Sequence, residues 1–285
     1  MPTVDIDAGT IHYNTAGPQD GRPVLFVHGY AMGSSLWEPL SARLAARHLR
    51  CIAPTWPLGA HPTALRPGAD RTLPGIAAMV NAFMAALALE DVVLVGNDTG
   101  GVIAQLVAVN HPERLGGLVL TSCDAFEHFP PPILNPFILA AKTPLTFRAA
   151  LQPMRLRIFR KRGFGALAHR DIDDLVAQWV KPGLRDAAIA EDLRHLTKSL
   201  HQQTTLDAGA RLSGFAKPAL IAWSADDRFF PVDDGKRLAD TLPNARFELV
   251  DDARTFSMID QPDRLGELVA EFAVATSGHG GRGRR

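Results

Sequence analysis

Short apolar runs alternate with longer segments of helical periodicity over most of this chain. Pro23 to Val27 is a wholly apolar run of the kind that forms a strand buried on both faces, and Ser34 to Arg47 has helical spacing with Ser34 or Ser35 placed to cap its start. The rhythm continues with a strand at His48 to Ala53, a helix at Leu73 to Leu89, a strand at Asp91 to Val95, a helix at Asp98 to Asn110 and a strand at Leu115 to Thr121. An initial hairpin is read around Thr10 to Thr15. Such alternation predicts an α/β fold: a mostly parallel, twisted sheet with helices on both faces.

Between about Glu127 and Ala210 the alternation stops. This stretch carries Pro130-Pro131-Pro132, scattered basic residues and helical segments such as Ile172 to Val180 and Ala187 to Leu200, with no convincing strand. The α/β rhythm then resumes with a strand at Pro218 to Trp223, a helix at Asp233 to Thr241, a strand at Arg246 to Val250 and a helix at Asp263 to Ala275. The organisation expected is a core in two parts, 1–126 and 211–275, a helical cap over 127–210, and a disordered Gly/Arg/Ser tail at 276–285. A cap inserted between two halves of a parallel sheet lies over the strands' carboxyl ends, where open α/β sheets place ligands.

Composition narrows the function. At 285 residues and 46% apolar, the chain can bury an enzyme-sized core. Lys+Arg and Asp+Glu balance at 30 each, so no broad basic surface recommends nucleic acid or a membrane as partner. The start of the chain has neither a basic n-region nor an apolar h-region, and no run approaches membrane-spanning length; a cytoplasmic protein is expected. Cys51 and Cys123 lack metal or disulfide spacing and read as buried thiols in a reducing compartment. No metal and no cofactor are implied.

The sharpest motif is Gly96-Asn97-Asp98-Thr99-Gly100-Gly101, which follows one strand and opens the next helix. A Gly-x-nucleophile-x-Gly turn between strand and helix holds its central residue in a strained conformation above the sheet edge, and small neighbours make room for it. Asp98 occupies the nucleophile's position. The competing reading is a plain helix cap, and both can hold together.

With Val27-His28-Gly29-Tyr30, His111-Pro112-Glu113-Arg114, Trp223-Ser224-Ala225-Asp226-Asp227 and Asp260-Gln261-Pro262, this motif makes the chain resemble capped α/β-hydrolase-fold proteins, the group that includes haloalkane dehalogenases, epoxide hydrolases and ring-cleavage hydrolases. The resemblance implies an oxyanion hole formed by the backbone N–H groups of Tyr30 and Thr99, an acid at Asp227, and Asp124 as an alternative acid. It also implies an ester formed on Asp98 by SN2-type attack. His28, Trp56, His128, Phe229 and Phe256 fall near the expected site and are candidates for substrate contact, each with core packing or a surface position as the alternative.

Three departures stand out. Thr255 occupies the seat of the base histidine, and a threonine hydroxyl cannot serve as general base near neutral pH. Thr99 follows the nucleophile where many dehalogenases carry Trp, and the two tyrosines, Tyr13 and Tyr30, both lie outside the expected cap. The function expected is hydrolysis of a small to medium apolar molecule at Asp98 with water activated in an atypical way. A non-hydrolytic acid–base enzyme of lyase, isomerase or cyclase type, or a ligand-binding homologue without turnover, stay open as alternatives.

Overall fold

The computed structural model describes residues 1–277. An eight-stranded sheet runs in the order β1-β2-β4-β3-β5-β6-β7-β8, with β1 at Thr3–Ile6, β2 at Gly9–Ala16, β3 at Arg22–Val27, β4 at Leu49–Pro54, β5 at Val92–Asp98, β6 at Leu115–Cys123, β7 at Ala219–Ser224 and β8 at Ala245–Val250. β1 and β2 form the expected hairpin and β2 joins β4 antiparallel; every other pairing is parallel. The apolar runs become strands buried on both sides because helices cover both faces. Residues of α2 (Leu73–Ala86) and α3 (Thr99–Asn110) build the core on one face, and those of α1 (Glu38–Ala45), together with a C-terminal helix at Pro262–Ala275, build the other.

Between β6 and β7 the described chain is helical: α4 (Asn135–Ala140), α5 (Pro144–Leu151), α6 (Arg157–Phe164), α7 (Asp173–Arg185), α8 (Ala187–Lys198) and α9 (Gln202–Arg211). Three more helices follow: α10 (Val232–Thr241), the short α11 (Ser257–Asp260) and α12, the C-terminal helix just described.

Several boundaries differ from the sequence reading for physical reasons. The helix expected from Ser34 divides into a 3-10 turn at Ser34–Trp37 and α1, and neither serine caps it. Ser34 Oγ instead accepts from Asn14 and Thr55 at 3.2 and 2.9 Å, and Ser35 Oγ accepts from the Trp179 indole at 2.7 Å. These contacts come from distant segments that sequence spacing does not reveal. β5 continues past Val95 through Asp98 because β6 keeps pairing with it up to Cys123. At the C-terminus, Thr276 is buried and its hydroxyl donates to Phe272 O at 2.7 Å, so Thr276 closes α12 rather than starting a tail. The rest of the tail expected, 278–285, lies outside the described residues. Among those described, no helix is long and apolar enough to cross a membrane.

Candidate active site

β3 and β5 are hydrogen-bonded neighbours with Val27 opposite Gly96, so the segments leaving their carboxyl ends meet. Asp98 sits there at φ 54° and ψ −136°, a left-handed conformation for a residue with a side chain, which surrounding structure must hold in place. The neighbouring glycines allow it. A Cβ on Gly100 would collide with the Val27 carbonyl oxygen, and one on Gly29 with the Asp98 carboxylate itself.

Both expected oxyanion donors converge on one atom. Asp98 Oδ1 accepts the Thr99 N–H at 2.7 Å and the Tyr30 N–H at 3.2 Å. The contact with Thr99 is also the cap of α3, so cap and site are one arrangement. Burial raises the Asp98 carboxyl to about 6, against the opposing pull of these backbone donors, and the nearby charge of Asp227 pushes in the same direction as burial.

Two more buried carboxyls flank it. Asp227 Oδ1 accepts from the backbone N–H groups of Phe229 and Phe230 at 2.8 and 2.9 Å and from the Thr255 hydroxyl at 3.1 Å. Its Oδ2 is buried without a partner among the described residues, and burial raises its pKa. The alternative acid, Asp124, accepts from the Thr99 hydroxyl at 3.0 Å through Oδ2, while Oδ1 is buried and unpartnered among the described residues. Burial, and then the charge of Asp98, drive Asp124 well above the usual carboxylate range and favour its neutral form.

Thr255 is fully buried, and its carbonyl accepts from the Asn97 side chain at 2.9 Å. Asn97 donates as well to Ser122 O at 3.1 Å and Thr121 Oγ1 at 3.0 Å, tying the loop after β8 to the ends of β5 and β6. Sequence reasoning passed over this residue; its only signal was a polar side chain beside the nucleophile position.

Above these groups lies a cavity of about 910 Å³ including its mouth. Asp98, Thr99 and Tyr30 line it with apolar residues, among them Phe229 from the core and Leu134, Phe137, Leu151 and Phe164 from the helical segment. The Tyr30 hydroxyl hydrogen-bonds the Thr197 hydroxyl of α8 at 2.6 Å, joining core and helical segment at the cavity wall. Among the described residues no Lys, Arg or His lines the cavity.

The other candidates stand elsewhere. His28 is buried: its Nε2 accepts from Trp56 N at 2.9 Å, so Nδ1 carries the proton toward Gly29 O at 3.0 Å. Burial lowers its pKa to about 4, making it a neutral brace between two loops and no lining residue. Trp56 is also buried, with its indole donating to Phe26 O at 2.9 Å. Phe256 packs edge-on against Trp179. His128 is half exposed and pairs with Asp234 at 2.7 Å. Each lies near a strand end in sequence, yet its side chain turns away from the cavity.

Residues 22–262 match the family model described as alpha/beta hydrolase fold, and the chain belongs to that family. It is a hydrolase, as its curated relatives are. It is 27% identical over 282 residues to a 2-hydroxy-6-oxononadienedioate/2-hydroxy-6-oxononatrienedioate hydrolase of Paraburkholderia phymatum, spanning 94% of this chain and 93% of the relative. It is 26% identical to a 2-hydroxy-6-oxo-6-phenylhexa-2,4-dienoate hydrolase of Comamonas testosteroni, spanning 94% and 92%. Among solved structures, a haloalkane dehalogenase from Bradyrhizobium elkani superposes with a TM-score of 0.79 at 19% identity, covering 96% of this chain and 97% of the other. An enol-lactonase from Burkholderia xenovorans gives 0.75 at 18%, covering 96% and 100%.

Proposed function

We propose that this hydrolase uses Asp98 as a nucleophile toward small to medium, uncharged apolar substrates, with residues 127–210 serving as the cap over the site. The observation that carries this reading is the convergence of the Tyr30 and Thr99 N–H groups on Asp98 Oδ1. With one carboxylate oxygen held, the other is available to the cavity that Asp98 lines. It attacks an electrophilic carbon, forming a C–O bond as halide leaves, or as an epoxide C–O bond breaks and the freed ring oxygen takes a proton from bulk water. Water then adds to the Asp98 carbonyl carbon, and the negative charge that develops on Oδ1 meets the same two donors. In the collapse of that intermediate one of the water's protons goes to the departing alkoxide, releasing the alcohol, and the other to bulk water, returning the carboxylate.

The second step is the slow one. Thr255 supplies no base, and among the described residues no histidine lines the cavity. The substrate class follows from the lining. A carboxylate buried in that cavity would lack a cation or a cluster of donors to offset its desolvation. The dioates in the names of the curated relatives are therefore poor candidates here.

A second reading is favoured by the pKa of about 6 at Asp98: a carboxyl poised there acts as a general base on water directly, without an ester. Steady-state assays with neutral chloroalkanes, epoxides and esters beside a 2-hydroxy-6-oxo-dienedioate test the substrate class. Hydrolysis confined to neutral compounds is expected, and preference for the dioate would overturn it.

A further inference from the structure

Exposed apolar side chains are concentrated in one part of the molecule. Ile133, Leu139, Leu145, Leu156, Ile158 and Phe159 all stand open to solvent, Leu145 at 80% and Ile158 at 66% exposure. Elsewhere among the described residues only Met1, Leu249 and Val274 do so.

Charge is segregated into the same stretch. Residues 128–170 hold eight of the 30 Lys and Arg residues and none of the 30 Asp and Glu. The neutral balance of the whole chain, which spoke against an anionic lipid partner, conceals this. Cations and apolar residues also share helix faces: Leu145 with Arg148, and Ile158 with Lys161 and Arg162, stand three or four residues apart. Arg157, Arg160 and Lys161 are paired with Asp171 or Asp173 at 2.7 to 3.0 Å. Lys142, Arg148, Arg155 and Arg162 are exposed and have no carboxylate partner among the described residues.

This face borders the cavity. Ile133 is 41% exposed and also lines the cavity, as do Leu151, Met154 and Phe164 of the same stretch. From this geometry we infer that residues 133–162 seat on the surface of an anionic lipid bilayer, with the cavity mouth turned toward it. Aliphatic side chains on such a face enter the boundary between headgroups and acyl chains, while unpaired Lys and Arg meet lipid phosphates. A second copy of the chain fits poorly, because a symmetric contact would set like charges opposite one another. Nucleic acid would use the cations and leave the aliphatic side chains in water. The inference stands apart from the role of Asp98 and does not depend on turnover.

Co-sedimentation of the full chain with vesicles tests it, using phosphatidylcholine alone and phosphatidylcholine with phosphatidylglycerol in equal parts. Binding is expected only to the anionic vesicles and should weaken as salt is raised. The variant Lys142→Gln, Arg148→Gln, Arg162→Gln should lose roughly a hundredfold in partitioning. The variant Leu145→Ser, Ile158→Ser should lose binding too, with circular dichroism and unfolding curves unchanged in both, since all five side chains are exposed. No binding to anionic vesicles, or binding that survives both variants, would overturn the inference. So would light scattering that shows a dimer which the Leu145→Ser, Ile158→Ser variant dissociates.

Discussion

The Thr255 hydroxyl donates to Asp227 Oδ1 at 3.1 Å, so the side chain facing this buried acid can orient one of its oxygens but cannot take a proton from water. Thr255→His places an imidazole in that seat with Asp227 as its partner. Turnover should rise by about a hundredfold as water activation is restored, at a stability cost of about 1–3 kcal/mol for overpacking a fully buried position. Steady-state kinetics beside thermal unfolding check this; an unchanged rate in a folded variant would count against the missing-base account.

Asp98 carries a stability signature of its own. Its pKa is raised on folding from 3.8 to about 6, chiefly by burial. Between those values the native state binds more protons than the unfolded state, so stability falls as pH rises through this window and the loss is complete above it. Asp98→Asn keeps an oxygen for the two backbone donors and removes the buried charge. The variant should be more stable than the parent by about 3 kcal/mol at pH 7, with the difference fading below pH 3.8. Urea unfolding at two pH values decides it, and a variant less stable at pH 7 would speak against the raised pKa.

The same ionisation should set the rate. If ionised Asp98 attacks, kcat/KM should climb through pH 6 and then level, with no further inflection near a histidine's pKa. Because the charge of Asp227 helps raise Asp98, Asp227→Asn should move the midpoint downward. A midpoint that stays fixed in that variant would contradict the coupling.

Thr99 and Asp124 form a separate pair. The Thr99 hydroxyl is the only side-chain donor to Asp124 among the described residues. Thr99→Val would leave both carboxyl oxygens buried and unpaired, at a cost of about 1–3 kcal/mol, whereas Thr99→Ser should restore most of it. Asp124→Asn should be nearly neutral for stability, because burial and the charge of Asp98 already favour the uncharged form of the carboxyl it replaces. A large loss in Asp124→Asn would show an ionised Asp124.

Much of the fold was legible because the buried strands are continuous apolar runs and the helices carry their own period. The strained position of Asp98 was legible for a local reason: Gly96 and Gly100 flank it. The Tyr30 and Thr99 donors followed from their places in the motifs, since each contributes a backbone group whose position the turn dictates. Side-chain destinations were not legible in the same way. Thr99 meets Asp124 only because β6 runs beside β5 with a register shift at Asn97 and Asp98. His28, Trp56 and Phe256 sit next to site residues in sequence, but loop paths and the positions of Gly29, Phe26 and Trp179 turn their side chains elsewhere. The basic, apolar stretch at 128–170 was visible in composition, while its exposure required the helices to be placed.

Asp98 should form a covalent bond with its substrate. Intact-protein mass measurement, with peptide mapping, after incubation with a panel of neutral chloroalkanes and epoxides tests it most directly. A persistent, stoichiometric gain of one alkyl group on the peptide that contains Asp98 is expected, and none in Asp98→Asn. No gain across the panel, a gain mapped to another residue, or an equal gain in Asp98→Asn would contradict it.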